Sequence, residues 1–157
     1  MTDSWPVVSI IIPHWNGIDV LSECIDSLKK STLPSFEIIV SDNASSDGSQ
    51  AWIKENHPDI ILLENDQNYG YAGGCNYGAD IAKGEFLLFL NNDTIQNPNW
   101  LEPLVDRMKS DESIAALQPK ILNYYSRNIF DYAGGSGGHL DLFCFPFARG
   151  RVFLEQE

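Results

Sequence analysis

Asp93 is the residue of this chain whose type and position most directly suggest chemistry. It follows Asn91 and Asn92 at the end of the apolar run from Phe86 to Leu90. A carboxylate at the end of a buried strand is a suitable ligand for Mg²⁺ or Mn²⁺, which combine one or two carboxylates with phosphate oxygens and water. Taken alone, Asp93 fits a capped turn somewhat better, because Asp and Asn are common in turns. Three other polar segments reverse that preference.

Asp42 ends another apolar run and is followed by Asn43, Ser45 and Asp47. A carboxylate in this position can accept a hydrogen bond from a base N–H or a ribose hydroxyl. The alternative is a cap or Asx turn that opens a helix at Ser49, and Asp47 fits that role better than Asp42 does. We therefore expect Asp42 to face a ligand.

A glycine-rich segment, residues 68–76, precedes a predicted helix. Glycines let the backbone approach a ligand, and a helix N-terminus offers free N–H groups to an anion. The segment is neither a GxGxxG motif after the first strand nor a Walker A loop, so an NAD-type enzyme or a nucleotidyltransferase is disfavoured. By itself the segment fits a plain loop-to-helix junction equally well.

Strand and helix patterns alternate along the chain, which predicts an α/β fold with three layers, α/β/α, and a mainly parallel sheet. Ligands of such sheets bind outside the carboxyl ends of the strands, where the polar segments fall. The predicted strands are 7–12, 37–40, 60–63, 86–90 and a short one at 114–117, and the predicted helices are 19–30, 49–56, 74–83 and 98–110. Regularity fades from about residue 123.

Length and composition favour one soluble domain over residues 1–157. The formal net charge of -12 argues against nucleic acid, which requires a basic surface. There is no leader peptide pattern and no apolar run of the roughly 20 residues needed to span a bilayer, so we expect a cytoplasmic protein without a transmembrane segment. Cys24, Cys75 and Cys144 have no disulfide or zinc spacing and are expected to be reduced.

Four segments closely resemble glycosyltransferase family 2, nearest to its rhamnosyltransferase-like branch: residues 8–17, 41–49, 68–76 and 90–94. The resemblance runs over about residues 7–135. It implies a GT-A-type fold and an inverting transfer of a sugar from a nucleoside diphosphate sugar, UDP- or dTDP-linked, to a glycan acceptor. The implied setting is cell-surface polysaccharide synthesis, in the cytoplasm or at the inner face of the membrane, with Mg²⁺ or Mn²⁺.

The resemblance and the polar segments together predict a nucleotide-sugar site with Asp93 as the metal ligand. Asn91 and Asn92 depart from the Asp-x-Asp motif, and His14 stands where the family more often has a small or polar residue. The residues expected to bind the nucleotide sugar are Pro13, Trp15, Asn16, Asp42, Asn43, Ser45, Asn68, Gly70, Tyr71, Ala72, Asn76, Asn91 and Asn92.

The catalytic base is not assigned. An inverting transfer needs a base within hydrogen-bond reach of the acceptor hydroxyl, and the resemblance places that base beyond this chain, which we expect to be a truncated form that binds the donor. Asp131 and Asp141 are the only late carboxylates with any claim to the role. The aromatic stretch Leu142–Phe153 is a candidate for self-association if its packing partner is missing. A non-catalytic nucleotide-binding module is the alternative.

Overall fold

The computed structural model describes residues 5–131 and the backbone of four short strands at 138–140, 146–148, 151–152 and 155–156. The chain forms two compact units, Met1–Glu102 and Pro103–Glu157. Asp141, Cys144 and the side chains of the aromatic stretch lie outside the described residues. The single domain and the self-association therefore stay predictions.

The first unit is built on a four-stranded sheet in which every pairing is parallel. Its strands are β1 (Val8–His14), β2 (Phe36–Asp42), β3 (Ile61–Glu64) and β4 (Phe86–Phe89), in the order β3-β2-β1-β4. β1 is buried along its whole length, which is the burial expected of a continuous β-branched run in a parallel sheet. The predicted parallel α/β architecture is confirmed.

Helices connect the strands: α1 (Ile18–Leu28), α2 (Ser49–Asn56) and α3 (Gly70–Ile81), and α4 (Glu102–Ser110) follows β4. α1 buries Leu21, Cys24, Ile25 and Leu28, the apolar stripe that a period of 3.6 residues places on one face. The thiols of Cys24 and Cys75 are free and buried. α2 has the predicted bounds.

α3 begins at Gly70, four residues before the predicted start. Glycine has a low helix propensity, but tertiary packing overrides it here. A Cβ on Gly78 would overlap Ile11 Cγ2, and one on Gly74 would lie 2.9 Å from Pro13 Cβ. The glycines therefore serve close packing of α3 on β1, and Gly70, Tyr71 and Ala72 belong to the helix instead of a loop.

Other predicted elements also differ from the structure. β1 continues through Pro13 to His14, and α4 begins at Glu102 instead of 98, after a turn in which the Trp100 N–H donates to the Asn97 carbonyl at 3.1 Å. The predicted strand at 114–117 is wrong, since those described residues have no regular structure.

The region from about 123, predicted to be irregular, contains short antiparallel pairings. Leu122 and Phe130 form an isolated bridge. β5 (Gly138–Leu140) pairs with β6 (Pro146–Ala148), and β7 (Arg151–Val152) pairs with β8 (Glu155–Gln156).

Replacing Gly78 by Ala tests the close contact between α3 and β1. The added methyl group meets Ile11, so we expect a loss of about 1–3 kcal/mol in the free energy of unfolding, the usual cost of overpacking. Asp80→Ala, at an exposed position of the same helix, should change it by less than about 0.5 kcal/mol. Urea unfolding followed by circular dichroism measures both, and a Gly78→Ala variant as stable as the parent would contradict the packing argument.

Candidate functional site

The polar loops meet because neighbouring parallel strands end at one edge of the sheet. The strand ladder continues beyond β2 and β3: the Asn43 N–H donates to the His14 carbonyl at 2.8 Å, and the Asn65 N–H to the Asp42 carbonyl at 2.9 Å. After β4, the Leu90 N–H donates to the Ile11 carbonyl at 2.9 Å. The segments at the ends of these strands form one polar edge, which we call the carboxyl edge. It consists of residues 13–17, 42–48, 65–70 and 91–94.

Hydrogen bonds join the loop after β1 to the loop after β2. The Asn16 N–H donates to Ser45 Oγ at 2.9 Å, and the Ser46 N–H donates to Asn16 Oδ1, also at 2.9 Å. Asn16 has a φ of 58°, a left-handed conformation that Asn tolerates better than most residues. Asn16 and Ser45, both among the expected site residues, thus lie together, and each has a polar side-chain atom committed to the other loop.

Asp47 strengthens the same junction. Its Oδ2 accepts from the Gly17 N–H at 2.6 Å, and its Oδ1 accepts from the Ser49 N–H at 3.0 Å, which is the Asx turn expected before α2. Burial raises the pKa of the Asp47 carboxyl, but hydrogen bonds from Ser49 and the Gly17 N–H outweigh it and bring the pKa to about 2. The side chain is therefore a carboxylate at neutral pH.

Asp42 lies at the base of the carboxyl edge and is fully buried. Its Oδ1 accepts from the Ser45 N–H at 2.9 Å and from Gln50 Nε2 at 2.6 Å. Its Oδ2 is buried and has no hydrogen-bond partner. A buried acceptor without a partner is costly, so Oδ2 is the atom that a donor group of a ligand would satisfy.

Asn43 ties the end of β2 to α3. Its Nδ2 donates to the Gly70 carbonyl at 3.1 Å, and its Oδ1 accepts from Asn65 Nδ2 at 3.0 Å. With 3% of its surface exposed, this side chain holds the loops together and has little left for a ligand. Asn65 was not among the predicted site residues, and only its position after the third strand indicated a role.

The start of α3 lies against the carboxyl edge, since the Gly70 carbonyl accepts from Asn43 Nδ2 and Gly74 packs on Pro13 and Asn43. Asn68 Oδ1 accepts from the Gly70 N–H at 2.8 Å. Free N–H groups at a helix start favour an anion. The predicted residues Gly70, Tyr71, Ala72 and Asn76 are exposed on this part of α3.

Tyr71 connects α3 electrostatically to the loop after β4. Burial, the neighbouring Cys75 and the negative charge of Asp93 raise the pKa of the Tyr71 hydroxyl to about 12. The hydroxyl is therefore protonated at neutral pH and can donate a hydrogen bond. Trp15, 58% exposed, gives the edge a second exposed aromatic surface.

Side chains of α1 hold the loop after β4. Ser27 Oγ donates to Gln96 Oε1 at 2.6 Å and accepts from the Gln96 N–H at 3.1 Å. Thr94 Oγ1 donates to the Asn91 carbonyl at 2.8 Å, and the Cys24 thiol lies 3.9 Å from the same oxygen. Burial raises the pKa of the Cys24 thiol to about 11. Ser27 and Gln96 were missed at the sequence level because no local pattern marks a pair 69 positions apart.

Asp93 is exposed at the end of this loop, and its charge reaches both Tyr71 and Cys24. Among residues 5–131, no group of three or more His, Cys, Asp or Glu side chains is arranged to hold a metal ion. A single exposed carboxylate nevertheless fits Mg²⁺ or Mn²⁺ bound chiefly by phosphate oxygens and water. The described residues around Asp93 do not by themselves enclose a metal ion.

Asn92 contacts a buried histidine. His14, 1% exposed, has its Nδ1 2.9 Å from Asn92 Nδ2 and its Nε2 2.9 Å from Ser49 Oγ. Burial lowers the pKa of His14, while the charges of Asp42 and Asp47 oppose the shift. A buried imidazole with a lowered pKa is neutral at pH 7. No sequence pattern predicted this contact.

The part of the chain that the structure describes contains no helix long and apolar enough to cross a membrane.

Comparisons with known proteins identify the family. Residues 9–135 match Glycosyl transferase family 2. The O-antigen biosynthesis protein RfbC of Myxococcus xanthus is 34% identical over 148 residues, which are 92% of this chain and 11% of that protein. UDP-Glc:alpha-D-GlcNAc-diphosphoundecaprenol beta-1,3-glucosyltransferase WfgD of Escherichia coli is 36% identical over 103 residues, 65% of this chain and 41% of that protein.

Among solved structures, the mannosyltransferase PcManGT of Pyrobaculum calidifontis, in complex with GDP-Man and Mn²⁺, superposes with a TM-score of 0.65 at 25% identity. The match covers 76% of this chain and 36% of that one. The chain thus spans less than half the length of each of these relatives. The predicted GT-A fold and the predicted family are both confirmed by these matches. The chain belongs to glycosyl transferase family 2.

Proposed function

We propose that this chain binds the donor of a metal-dependent glycosyltransferase, which transfers a sugar with inversion from a nucleoside diphosphate sugar to a glycan acceptor. The observation that carries the proposal is the carboxyl edge itself, where Asp42, Asn92, Asp93 and the start of α3 meet. The names of the similar proteins support a setting in cell-surface polysaccharide synthesis. Such a protein works in the cytoplasm, at the inner face of the membrane.

The nucleoside is assigned to the part of the edge around Asp42. The unpartnered Oδ2 accepts a hydrogen bond from a base N–H or a ribose hydroxyl. Trp15, which is exposed, directly follows His14, the residue that pairs with Asp42 in the register of β1 and β2. Both features suit a neutral, flat group with N–H and O–H donors, as a UDP- or dTDP-sugar provides.

The diphosphate is assigned to the part of the edge around Asp93 and the first turn of α3. The segments 13–17, 42–48, 65–70 and 91–94 contain no Lys or Arg, so no cationic side chain of these loops offsets the phosphate charge. Helix N–H groups and a divalent cation are the remaining sources of positive potential. When bound, the cation acts as a Lewis acid on the leaving diphosphate.

The residues of the edge bind and orient, and none is assigned as the catalytic base. Asp42 is buried, Asp47 is engaged by Gly17 and Ser49, and Asp93 is assigned to the metal. Asp131 belongs to the other unit and accepts a 3.3 Å hydrogen bond from Asn123 Nδ2. We therefore place the base for the acceptor hydroxyl outside the described residues.

Calorimetry with UDP, dTDP and GDP, each with Mn²⁺, tests donor binding. At least one should bind with a Kd below about 1 mM, which corresponds to about 4 kcal/mol. Asp42→Asn replaces the charged acceptor by a neutral amide of equal size and should weaken binding on the order of tenfold, the worth of a hydrogen bond to a charged group. Asp59→Asn, the same change at an exposed residue that precedes β3, should leave the affinity unchanged. No binding by any nucleotide would refute the proposal.

Asp93→Ala tests the metal assignment. In the parent chain Mn²⁺ should raise the affinity for the nucleoside diphosphate, because Asp93 would hold a cation whose charge would offset that of the phosphates. The variant should lose most of that gain while its affinity without metal stays within about twofold, a difference of roughly 0.4 kcal/mol. Asp80→Ala removes an equal charge from α3 and should keep the metal effect. Equal metal dependence in the parent and in Asp93→Ala would show that the assignment is wrong.

A further inference from the structure

The direction of every hydrogen bond around His14 follows from one carboxylate. The Ser49 hydroxyl has a single hydrogen, and Asp47 Oδ1, an ionised acceptor, receives it. Ser49 Oγ can then only accept from His14 Nε2, 2.9 Å away. The neutral imidazole therefore carries its hydrogen on Nε2, and its Nδ1 is a lone-pair acceptor.

The acceptor Nδ1 fixes the side chain of Asn92. A primary amide can face a neighbour with either its oxygen or its nitrogen, and only the nitrogen can donate to Nδ1. Asn92 Nδ2 lies 2.9 Å from that atom. The amide oxygen is consequently turned away from His14, and it remains available as an acceptor together with the second N–H.

We propose that His14 is a positioning residue of the donor site: the chain Asp47–Ser49–His14 orients the Asn92 amide so that it presents its oxygen to the donor. The inference rests on the proposed function for the identity of that donor. Both ring nitrogens of His14 are engaged by Ser49 and Asn92, so neither is left for the donor. It acts through Asn92, the residue next to the assigned metal ligand.

The arrangement also couples three parts of the first unit. His14 is the last residue of β1, Ser49 is the first residue of α2, and Asn92 lies in the loop after β4. Removal of the imidazole leaves the Asn92 amide free to rotate and to occupy both orientations. Ligand binding must then select one of them, which lowers the affinity by the populated fraction.

Nitrogen-15 NMR of the imidazole groups tests the geometry without any ligand. The expected signature for His14 is a protonated Nε2 and a bare Nδ1 at neutral pH. Ser49→Ala removes the group that selects this tautomer and should produce a mixture. A hydrogen on Nδ1 in the parent chain would overturn the inference, because Asn92 would then have to present its oxygen to His14.

A double-mutant cycle on nucleotide affinity tests the route of action. The probe is UDP, dTDP or GDP with Mn²⁺, whichever binds most tightly. His14→Phe should weaken binding about twofold, because two equally populated amide orientations leave half of the chains competent to bind, and it should have no further effect in Asn92→Ala. Equal effects of His14→Phe with and without Asn92 would show that His14 acts by some other route.

His57→Phe is the matched control, since His57 is also buried and packs against Trp52. It should leave nucleotide affinity unchanged. If His14→Phe does not fold, Ser49→Ala replaces it in the cycle. Failure of all three nucleotides to bind the parent chain refutes the proposed function. If a nucleotide binds but His14 has the other tautomer, only the role of His14 is refuted. The same holds if the effects of His14→Phe and Asn92→Ala on affinity are additive.

Discussion

The parallel pairing of β1 with both β2 and β4 is the constraint on which the rest of the site depends. It brings the ends of three strands to one edge, where the backbone ladder stops and polar groups must find other partners. The loops supply these partners to one another, as the Gly17–Asp47 and Asn43–Gly70 hydrogen bonds show. The edge is therefore held rigid before any ligand arrives, which reduces the entropy that binding costs.

Two kinds of residue share this edge, and the presence or absence of hydrogen-bond partners within the protein separates them. Asn16, Asn43 and Asp47 have their polar atoms committed to neighbouring loops. Asp42 Oδ2 and the exposed Asp93 carboxylate do not. Both of these free groups are acidic in a chain with a formal net charge of -12. An anionic ligand is thus favoured at the edge when a cation accompanies it, which links the proposed donor binding to the metal.

The sequence predicted the features that local chemistry controls. The buried β-branched run of β1, the apolar face of α1 and the Asx turn at Asp47 all follow from residues close together in the chain. The start of α3 was placed at residue 74 instead of Gly70 because glycine is a poor helix former, and only the tertiary contacts of Gly74 with Pro13 and Asn43 show why glycine is needed near that start. His14 and Asn92 lie 78 positions apart, and no spacing rule connects such a pair.

That pair gives a physical reason for an amide at position 92, the middle position of the segment 91–93. A carboxylate at position 92 would place an acceptor oxygen against the Nδ1 lone pair of His14, so that neither atom could donate a hydrogen bond to the other. Relief would require either a second hydrogen on a buried imidazole, which burial opposes, or a tautomer change that leaves the Ser49 contact without a donor. An amide avoids both costs, since Asn92 can donate to Nδ1 and still present an oxygen. The neutral Asn92 and the buried His14 therefore form one matched unit, and Asp93 is left as the charged group of the motif.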